Sequence, residues 1–371
     1  MNKMSFLDCV DIVGSSVKEY DGIRKYVSTG ALNFDHIEAD AVEEYSFSEK
    51  PSRANLEVDE GSLLFAKMQG TQKTLVIDKE NQHNIYSTGF AAVKPKNNII
   101  SARCLYYLVT SDDFLKQKDL NCSGATQKAI TNEGLKKIAV SIPDLCDQAK
   151  IAGILDQVDE LIKMLHRNSS LLDDIVKSRF VEMFGDPVRN EKGWNKMPIE
   201  EVCQSIADCP HSTPNYTNED TGYMCIRTSI IKKNRILWDE VEFISEEEYI
   251  QRIQRKKPEK GDVIYTREGA ILGIAAIIDR DYKVALGQRS MLLSPNRKYC
   301  TPEFLSVAMN FDSFLESALK GMSGSASPHI NVGDIKAFKM IMPPIESQES
   351  FSDFMQQTDK SKHFDDLEVV A

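Results

Sequence analysis

Residues 144–185 read DLCDQAKIAGILDQVDELIKMLHRNSSLLDDIVKSRFVEMFG. Ile151, Leu155, Val158, Ile162, Leu165, Leu172 and Val176 follow one another by alternating fours and threes, with polar Ser169 in the single intervening slot. That spacing is the seam of a coiled coil. The stretch holds no proline, and its one interior glycine, Gly153, costs only about 1 kcal/mol relative to alanine. Pro143 and Asp144 mark the start; Gly185, followed by Pro187, marks the stop. The spacing predicts a helix of about 42 residues, roughly 60 Å long. No small domain needs such a rod inside it, so it separates two bodies or binds a partner along its length.

Outward from the rod, 371 residues suffice for two or three domains with their own cores. Hydrophobic content of 42% and charged content of 27% are those of an ordinary globular protein. The first twenty residues carry Asp8 and Asp11 inside their apolar stretch, which argues against a signal peptide, and no run approaches membrane-spanning length. The cytoplasm is the expected location, with no membrane partner. Eight cysteines show no C-x-x-C pair and no histidine at zinc-finger spacing, so buried free thiols are expected. Net charge is −11, with the acidity concentrated in the rod and the C-terminal tail; the two large segments beside them are nearly neutral. A neutral domain with a local basic face can still hold DNA.

Those two segments repeat each other at an offset of 200. Gly61-Ser-Leu-Leu-Phe-Ala-Lys67 falls on Gly261-Asp-Val-Ile-Tyr-Thr-Arg267, Leu105 on Leu305, and Asp112 and Phe114 on Asp312 and Phe314. Gly124, Ile130, Lys136, Pro143 and Gln148 fall on Gly324, Ile330, Lys336, Pro343 and Gln348, and Gln157 and Asp159 on Gln357 and Asp359. A register kept this long without gaps indicates a duplicated unit of domain plus trailing helix. In the first copy strands are expected at Lys25–Val27, Gly61–Phe65, Thr74–Ile77 and Phe90–Val93, with one helix near Arg103 to Leu115. The second rod is expected to be short: Phe351, Met355 and Leu367 are apolar, but Thr358, Lys362 and Asp365 stand at seam positions. It is therefore expected to cover only part of the first, leaving apolar surface for another chain.

This arrangement resembles the specificity subunits of Type I restriction-modification systems. The likeness covers nearly the whole chain and is most specific in Ser123-Gly124…Gln127…Ile130 running into Ile142-Pro143…Gln148…Ile151…Leu155…Asp159, and in Phe180…Phe184-Gly185-Asp186-Pro187. The resemblance implies an α+β fold: two similar mixed α/β target-recognition domains joined by a long coiled-coil-forming helix, with a shorter C-terminal helix packed antiparallel. The implied boundaries are 1–142 for the first recognition domain, 143–186 for the central spacer helix, 187–342 for the second domain and 343–371 for the C-terminal helix. It also implies double-stranded DNA as a partner, each domain reading one half of a bipartite site, with methyltransferase subunits docked on the helices and a restriction subunit joining through the complex.

Base reading needs Arg, Lys, Asn or Gln at groove edges, and phosphate contacts need cations or free backbone N–H groups. The equivalent pair Lys67 and Arg267, each just after a strand and before a glycine, is the first choice. Arg289 in Gly287-Gln288-Arg289-Ser290 is a further base-reading candidate. The polar loops carrying Gln127 and Ser327-Pro328-His329 are candidates to approach phosphate, and Lys232, Lys233 and Arg235 to track the backbone. The basic run from Arg252 to Lys260 is interleaved with glutamates and reads as an exposed salt-linked helix. Ile151, Leu155, Val158, Ile162, Leu165, Leu172 and Val176 are the expected partner-binding face. His211 and His329 lack companions at ligand spacing, so no metal is expected.

An enzyme would show itself differently. A methyltransferase needs a Gly-rich turn after its first strand and an Asn or Asp-Pro-Pro-aromatic motif; Met342-Pro343-Pro344-Ile345 has neither the polar residue nor the aromatic. The ATP-binding G-x-x-x-x-G-K-[ST] pattern does not occur. Asp144, Asp147 and Lys150 imitate a nuclease triad, but acids at a helix start favour its N-terminal dipole. The chain is thus expected to carry no cofactor, with S-adenosylmethionine, ATP and magnesium on its partner subunits. Two other readings are a duplicated coiled-coil scaffold that never touches DNA, favoured by the acidic sum, and an incomplete or silent specificity subunit.

Overall fold

The computed structural model describes residues 2–125, 127–269, 271–320 and 329–368, with residues 2 and 361–368 described by backbone alone. The chain forms two compact units, Met1–Lys163 and Met164–Ala371. In unit 1 the central sheet contains β1 (Val10–Ile12), β2 (Leu63–Ala66), β3 (Thr74–Val76) and β4 (Phe90–Pro95), in the antiparallel order β1-β4-β2-β3. The unbroken apolar run of β2 follows from burial of both its faces, since successive side chains alternate across a strand. Leu63 and Phe65 join Phe6, Leu105, Val109 and Phe114 in one core; Leu64 and Ala66 join Val27, Tyr86 and Phe90 in another. A smaller four-stranded sheet, ordered Glu43–Tyr45, Arg24–Val27, Ile85–Ser87, Ala54–Leu56, includes one parallel pair.

Unit 2 repeats this plan. Its sheet, β5 (Cys203–Asp208), β6 (Val263–Thr266), β7 (Ala275–Ile277) and β8 (Ser290–Pro295), has the order β5-β8-β6-β7, and a second sheet again contains one parallel pair. Val263 and Tyr265 face one core and Ile264 the other. The edge-on contact of Tyr265 with Phe314, at 5.9 Å between centroids, repeats that of Phe65 with Phe114 at 5.6 Å.

The expected helix near Arg103 to Leu115 is two helices, α1 (Ala102–Thr110) and α2 (Asp112–Leu120). Ser111 divides them: its Oγ donates to Leu108 O at 2.7 Å, closing the first, and accepts from Phe114 N at 3.3 Å, capping the second. The rod, α3, runs Leu145–Phe184 over 40 residues and ends at Gly185, whose φ of +78° is the left-handed stop that glycine permits. In unit 2, α4 (Pro302–Met309) and α5 (Asp312–Leu319) stand where α1 and α2 stand in unit 1, and α6 (Ile345–Glu368) is the shorter second rod, with 24 residues.

Each rod is pinned to its unit by one buried glutamine. Gln148 accepts from Ser101 N at 2.8 Å and donates to Ile99 O and Pro143 O at 2.7 and 2.9 Å. Gln348 accepts from Thr301 N at 3.1 Å and donates to Tyr299 O and Pro343 O at 3.0 and 2.9 Å. Every partner is displaced by 200 residues, so the duplication extends to individual hydrogen bonds.

The seam corrects the sequence expectation. Of its seven residues only Val176 is buried; Leu155, Val158 and Ile162 are 36%, 43% and 36% exposed, and Ile151, Leu165 and Leu172 are partly exposed. Within unit 1 a neighbouring, largely polar face of α3 does the packing. Asp156 pairs with Arg103 and accepts from Tyr107 at 2.6 Å, and Lys163 reaches Asp159 and Asp35 at 2.9 and 3.5 Å. Within unit 2 the last turns of α3 enter a core: Phe180 and Phe184 contact Phe304 and Phe351 at 5.1–5.7 Å. Arg179 lies over Phe354, so later residues of α6 meet earlier residues of α3, and the two helices run antiparallel. Thr358, polar in the seam pattern, is nonetheless buried, its hydroxyl donating to Phe354 O at 3.0 Å. The side chains of Lys362 and Asp365 lie outside the described residues.

Candidate nucleic-acid interface

The strand ends that carry Lys67 and Arg267 have the same backbone frame. Lys67 N donates to Gly89 O at 2.9 Å and its carbonyl accepts from Ile130 N at 2.9 Å. Arg267 N donates to Arg289 O at 2.9 Å and its carbonyl accepts from Ile330 N at 2.8 Å. Both frames join the turn after an inner strand, the start of the inner strand beside it and the loop before the trailing helix. In each unit, then, three loops meet at one end of the central sheet, beyond its two inner strands, where groups from distant stretches of chain can act on one ligand.

In unit 1 Lys67 is half-buried and forms no ion pair among the described residues; burial holds its ammonium below the usual lysine range. A cation already stripped of part of its water loses less on meeting a phosphate. The Met68–Ala129 bridge and the bond from Gln69 N to Lys128 O at 3.0 Å bring Gln127 and Lys128, both exposed, to the same end of the sheet. Arg53, which sequence reasoning did not select, stands there too: it is exposed, its Nη2 lies 3.5 Å from Gln127 Oε1, and its carbonyl accepts from Thr88 N at 2.9 Å. Nothing in the sequence singles it out, because an isolated arginine in a Pro-Ser-Arg turn carries no pattern.

In unit 2 the same position is filled differently. The Arg267 side chain is buried, its Nε and Nη2 2.9 and 3.2 Å from the two Asp208 oxygens and its Nη1 2.5 Å from Glu268 Oε1. Its charge is neutralised inside the domain, so Arg267 holds the turn and is not the free cation that its pairing with Lys67 suggested. Arg289 takes the outer place. It is exposed, in the left-handed region at φ +67°, and its guanidinium lies over Gly269, where a Cβ would stand 3.2 Å from Nη1. His211 flanks it, 3.1 Å from Asp208 Oδ2, and the His211 carbonyl accepts from Gln288 at 2.6 Å. His329 is exposed, its ring 3.1 Å from Asn331 Oδ1, and it bridges Glu268. Ser327 lies outside the described residues.

Lys232, Lys233 and Arg235 are exposed on a hairpin of strands Ile231–Lys232 and Arg235–Ile236. Asn234 at its tip has φ +63° and accepts from Ser306 Oγ and Asn310 Nδ2 at 2.9 and 2.8 Å, fixing the hairpin to α4. In the basic run, Arg252 is buried against Glu248 at 2.6 Å and Lys256 pairs with Glu259 at 2.8 Å. Cys9, Cys203, Cys209, Cys225 and Cys300 are buried free thiols; burial raises Cys203 and Cys225 to about 12. Among the described residues no group of three or more His, Cys, Asp or Glu side chains is placed to hold a metal ion, and no helix is long and apolar enough to cross a membrane.

Comparison with known proteins bears on both units. Residues 16–172 and 191–365 each match the Type I restriction modification DNA specificity domain. The chain is 22% identical over 290 residues to the Type I restriction enzyme MjaVIII specificity subunit of Methanocaldococcus jannaschii, covering 74% of this chain and 67% of that protein. It is 23% identical over 301 residues to the MjaIX specificity subunit of the same organism, covering 72% and 64%. The HindI specificity subunit of Haemophilus influenzae is 27% identical over 173 residues, covering 44% and 36%. In fold, the chain resembles one from a structure of the assembly and conformational transition of a type I R-M system, with TM-score 0.51, 17% identity and coverage of 100% and 93%. It also resembles the Type-I restriction-modification system S subunit from M. genitalium, with TM-score 0.50, 12% identity and coverage of 100% and 92%. A duplicated scaffold with no role at DNA is not favoured by a match that spans both copies, and the chain belongs to the Type I restriction modification DNA specificity family, with two copies of its domain.

Proposed function

We propose that each unit reads one half of a bipartite DNA site through the end of the sheet at which its three loops meet, and that the chain recruits methyltransferase subunits and, through them, a restriction subunit. The observation that carries this reading is the shared frame of Lys67–Gly89–Ile130 and Arg267–Arg289–Ile330, beside which different polar side chains stand in the two units. Arg53 and Gln127 are exposed and Lys67 is half-buried in unit 1, and Arg289, His211 and His329 are exposed in unit 2. One scaffold with two sets of tips is what reading two unlike sequences requires. The curated relatives are named as specificity subunits, which accords with it.

The bare seam of α3 supports the recruiting half. Leu155, Val158 and Ile162, with the neighbouring Ile154 and Leu161, form an apolar stripe left exposed beside the polar docking face. Such a stripe suits a partner subunit. In this reading the chain is non-catalytic and works in the cytoplasm, and S-adenosylmethionine, ATP and magnesium belong to the partner subunits.

Mapping modified bases on DNA treated with the chain and its methyltransferase partner tests the proposal. Lys67→Ala is expected to relax reading of one half-site and to lower the salt slope of binding by about 1. Arg289→Ala is expected to relax only the other half-site, by about 1–3 kcal/mol if the guanidinium reads a guanine. Unchanged modification patterns in both variants would overturn the assignment.

A further inference from the structure

Unit 1 buries a lysine that the repeat does not explain. Lys118, in the last turn of α2, is 1% exposed, and its Nζ lies 2.7 Å from Thr71 O, 3.2 Å from Met68 O and 3.5 Å from Ala66 O. An ammonium has three donors and no acceptor, and three carbonyls from one turn satisfy it. Burying a charge away from water is costly unless it is held in this way. The adjacent Asp119 completes the grip: its Oδ2 accepts from Gly70 N at 3.0 Å, its carbonyl accepts from Gln69 Nε2 at 3.2 Å, and its Oδ1 is 3.5 Å from Nζ. The whole turn Ala66–Thr71 is thus fastened from beneath to two consecutive residues of α2. It is the turn that carries Lys67 and Gln69.

The corresponding position in unit 2 is Ala318. There the turn after β6 is fastened by its own first residue, through the Arg267–Asp208 pair. Each unit therefore spends one buried cation on its turn, but places it differently. In unit 2 the cation at the strand end is consumed; in unit 1 Lys118 does the fastening, and the strand-end cation stays free.

We propose that Lys118 is a positioning residue for DNA reading by unit 1: its buried ammonium gathers the carbonyls of Ala66, Met68 and Thr71 and so sets the direction in which Lys67 and Gln69 meet the DNA. This rests on the reading of unit 1 as one half-site reader. Lys118→Met keeps the stem and removes the donors, and two measurements on the full chain test it. Hydrogen exchange at the Gln69, Gly70 and Thr71 amides is expected to rise about tenfold or more, with strands β2 and β4 unchanged. In complex with the methyltransferase partner, discrimination at the half-site that Lys67 reads is expected to fall about tenfold, with the other half-site unaffected.

Turn exchange and discrimination both unchanged would overturn the proposal. So would exchange rising throughout unit 1, since Lys118 would then be a core group with no particular hold on the turn. Lys67→Ala on the same DNA separates the two ideas. If it leaves discrimination intact, the assignment of this turn to DNA fails; if it relaxes discrimination and Lys118→Met does not, the positioning role fails.

Discussion

Lys67 and Arg267 occupy one place in two copies of a domain, each donate one backbone hydrogen bond and accept another from equivalent partners, and do opposite things. Arg267 points inward to Asp208 and Glu268 and is lost to any ligand; Lys67 has no such acid and remains half-exposed. The difference comes from the strand alongside. β5 runs on to Asp208, whereas β1 stops at Ile12 and the chain turns away at Gly14, with φ +99°. Duplication preserves the frame, because the frame is made of backbone groups that any sequence must satisfy. It leaves the tips free to diverge, and there the two units have exchanged the roles of structural and exposed cation.

The largest expected effect breaks the comparison between the two ends of α3. Phe180→Ala removes a ring packed among Phe184, Phe304, Phe311 and Phe351, and is expected to destabilise unit 2 by about 3–5 kcal/mol in chemical denaturation. Leu155→Ala, on the exposed stripe, is expected to stay within about 0.5 kcal/mol while weakening capture of the methyltransferase partner. Next is the strand-end pair. Arg267→Ala leaves Asp208 without its guanidinium and is expected to cost about 3 kcal/mol, against less than about 1 kcal/mol for Lys67→Ala, measured by urea unfolding. A large loss of stability in Lys67→Ala would mean that the two positions are equivalent after all.

Gln148→Ala and Gln348→Ala each remove three buried hydrogen bonds and are expected to cost about 1–3 kcal/mol apiece. Because the two pins are the same, unequal losses would show that the surrounding packing differs: polar around α3 in unit 1, apolar around α6 in unit 2. The smallest expected effect is the most specific. Arg289→Gly relieves a left-handed backbone and is expected to stabilise unit 2 by up to about 1 kcal/mol in thermal melts while its half-site reading is relaxed. Stability and reading moving in opposite directions there would mark Arg289 as held for function.

Much of the architecture was legible in the residues. The offset of 200 identified the duplication, and the Pro143 and Gly185 punctuation bounded the rod to within two residues. β2 was found because its apolar run is buried on both faces. The break at Ser111 was missed because one hydroxyl serves two helix ends, and periodicity runs through such a junction without a gap. At the candidate interface, cation, strand end and turn located Lys67 and Arg267 in the chain. The burial of Arg267 was not legible, because it depends on Asp208, 59 residues away, and neither was the hold of Lys118 on the turn that carries Lys67.

The seam of α3 divides along the same line. Its three-four spacing, readable in the chain, specifies a helix with an apolar stripe, since helical periodicity is a local property of the backbone. Which part of that stripe is covered is not local. Val176 is buried with Phe180 and Phe184 because unit 2 brings Phe304 and Phe351 onto that end, while Leu155, Val158 and Ile162 stay bare because unit 1 grips the helix by Gln148, Asp156 and Lys163. Spacing along a chain specifies what a helix can bury; burial itself depends on neighbours that only folding brings together.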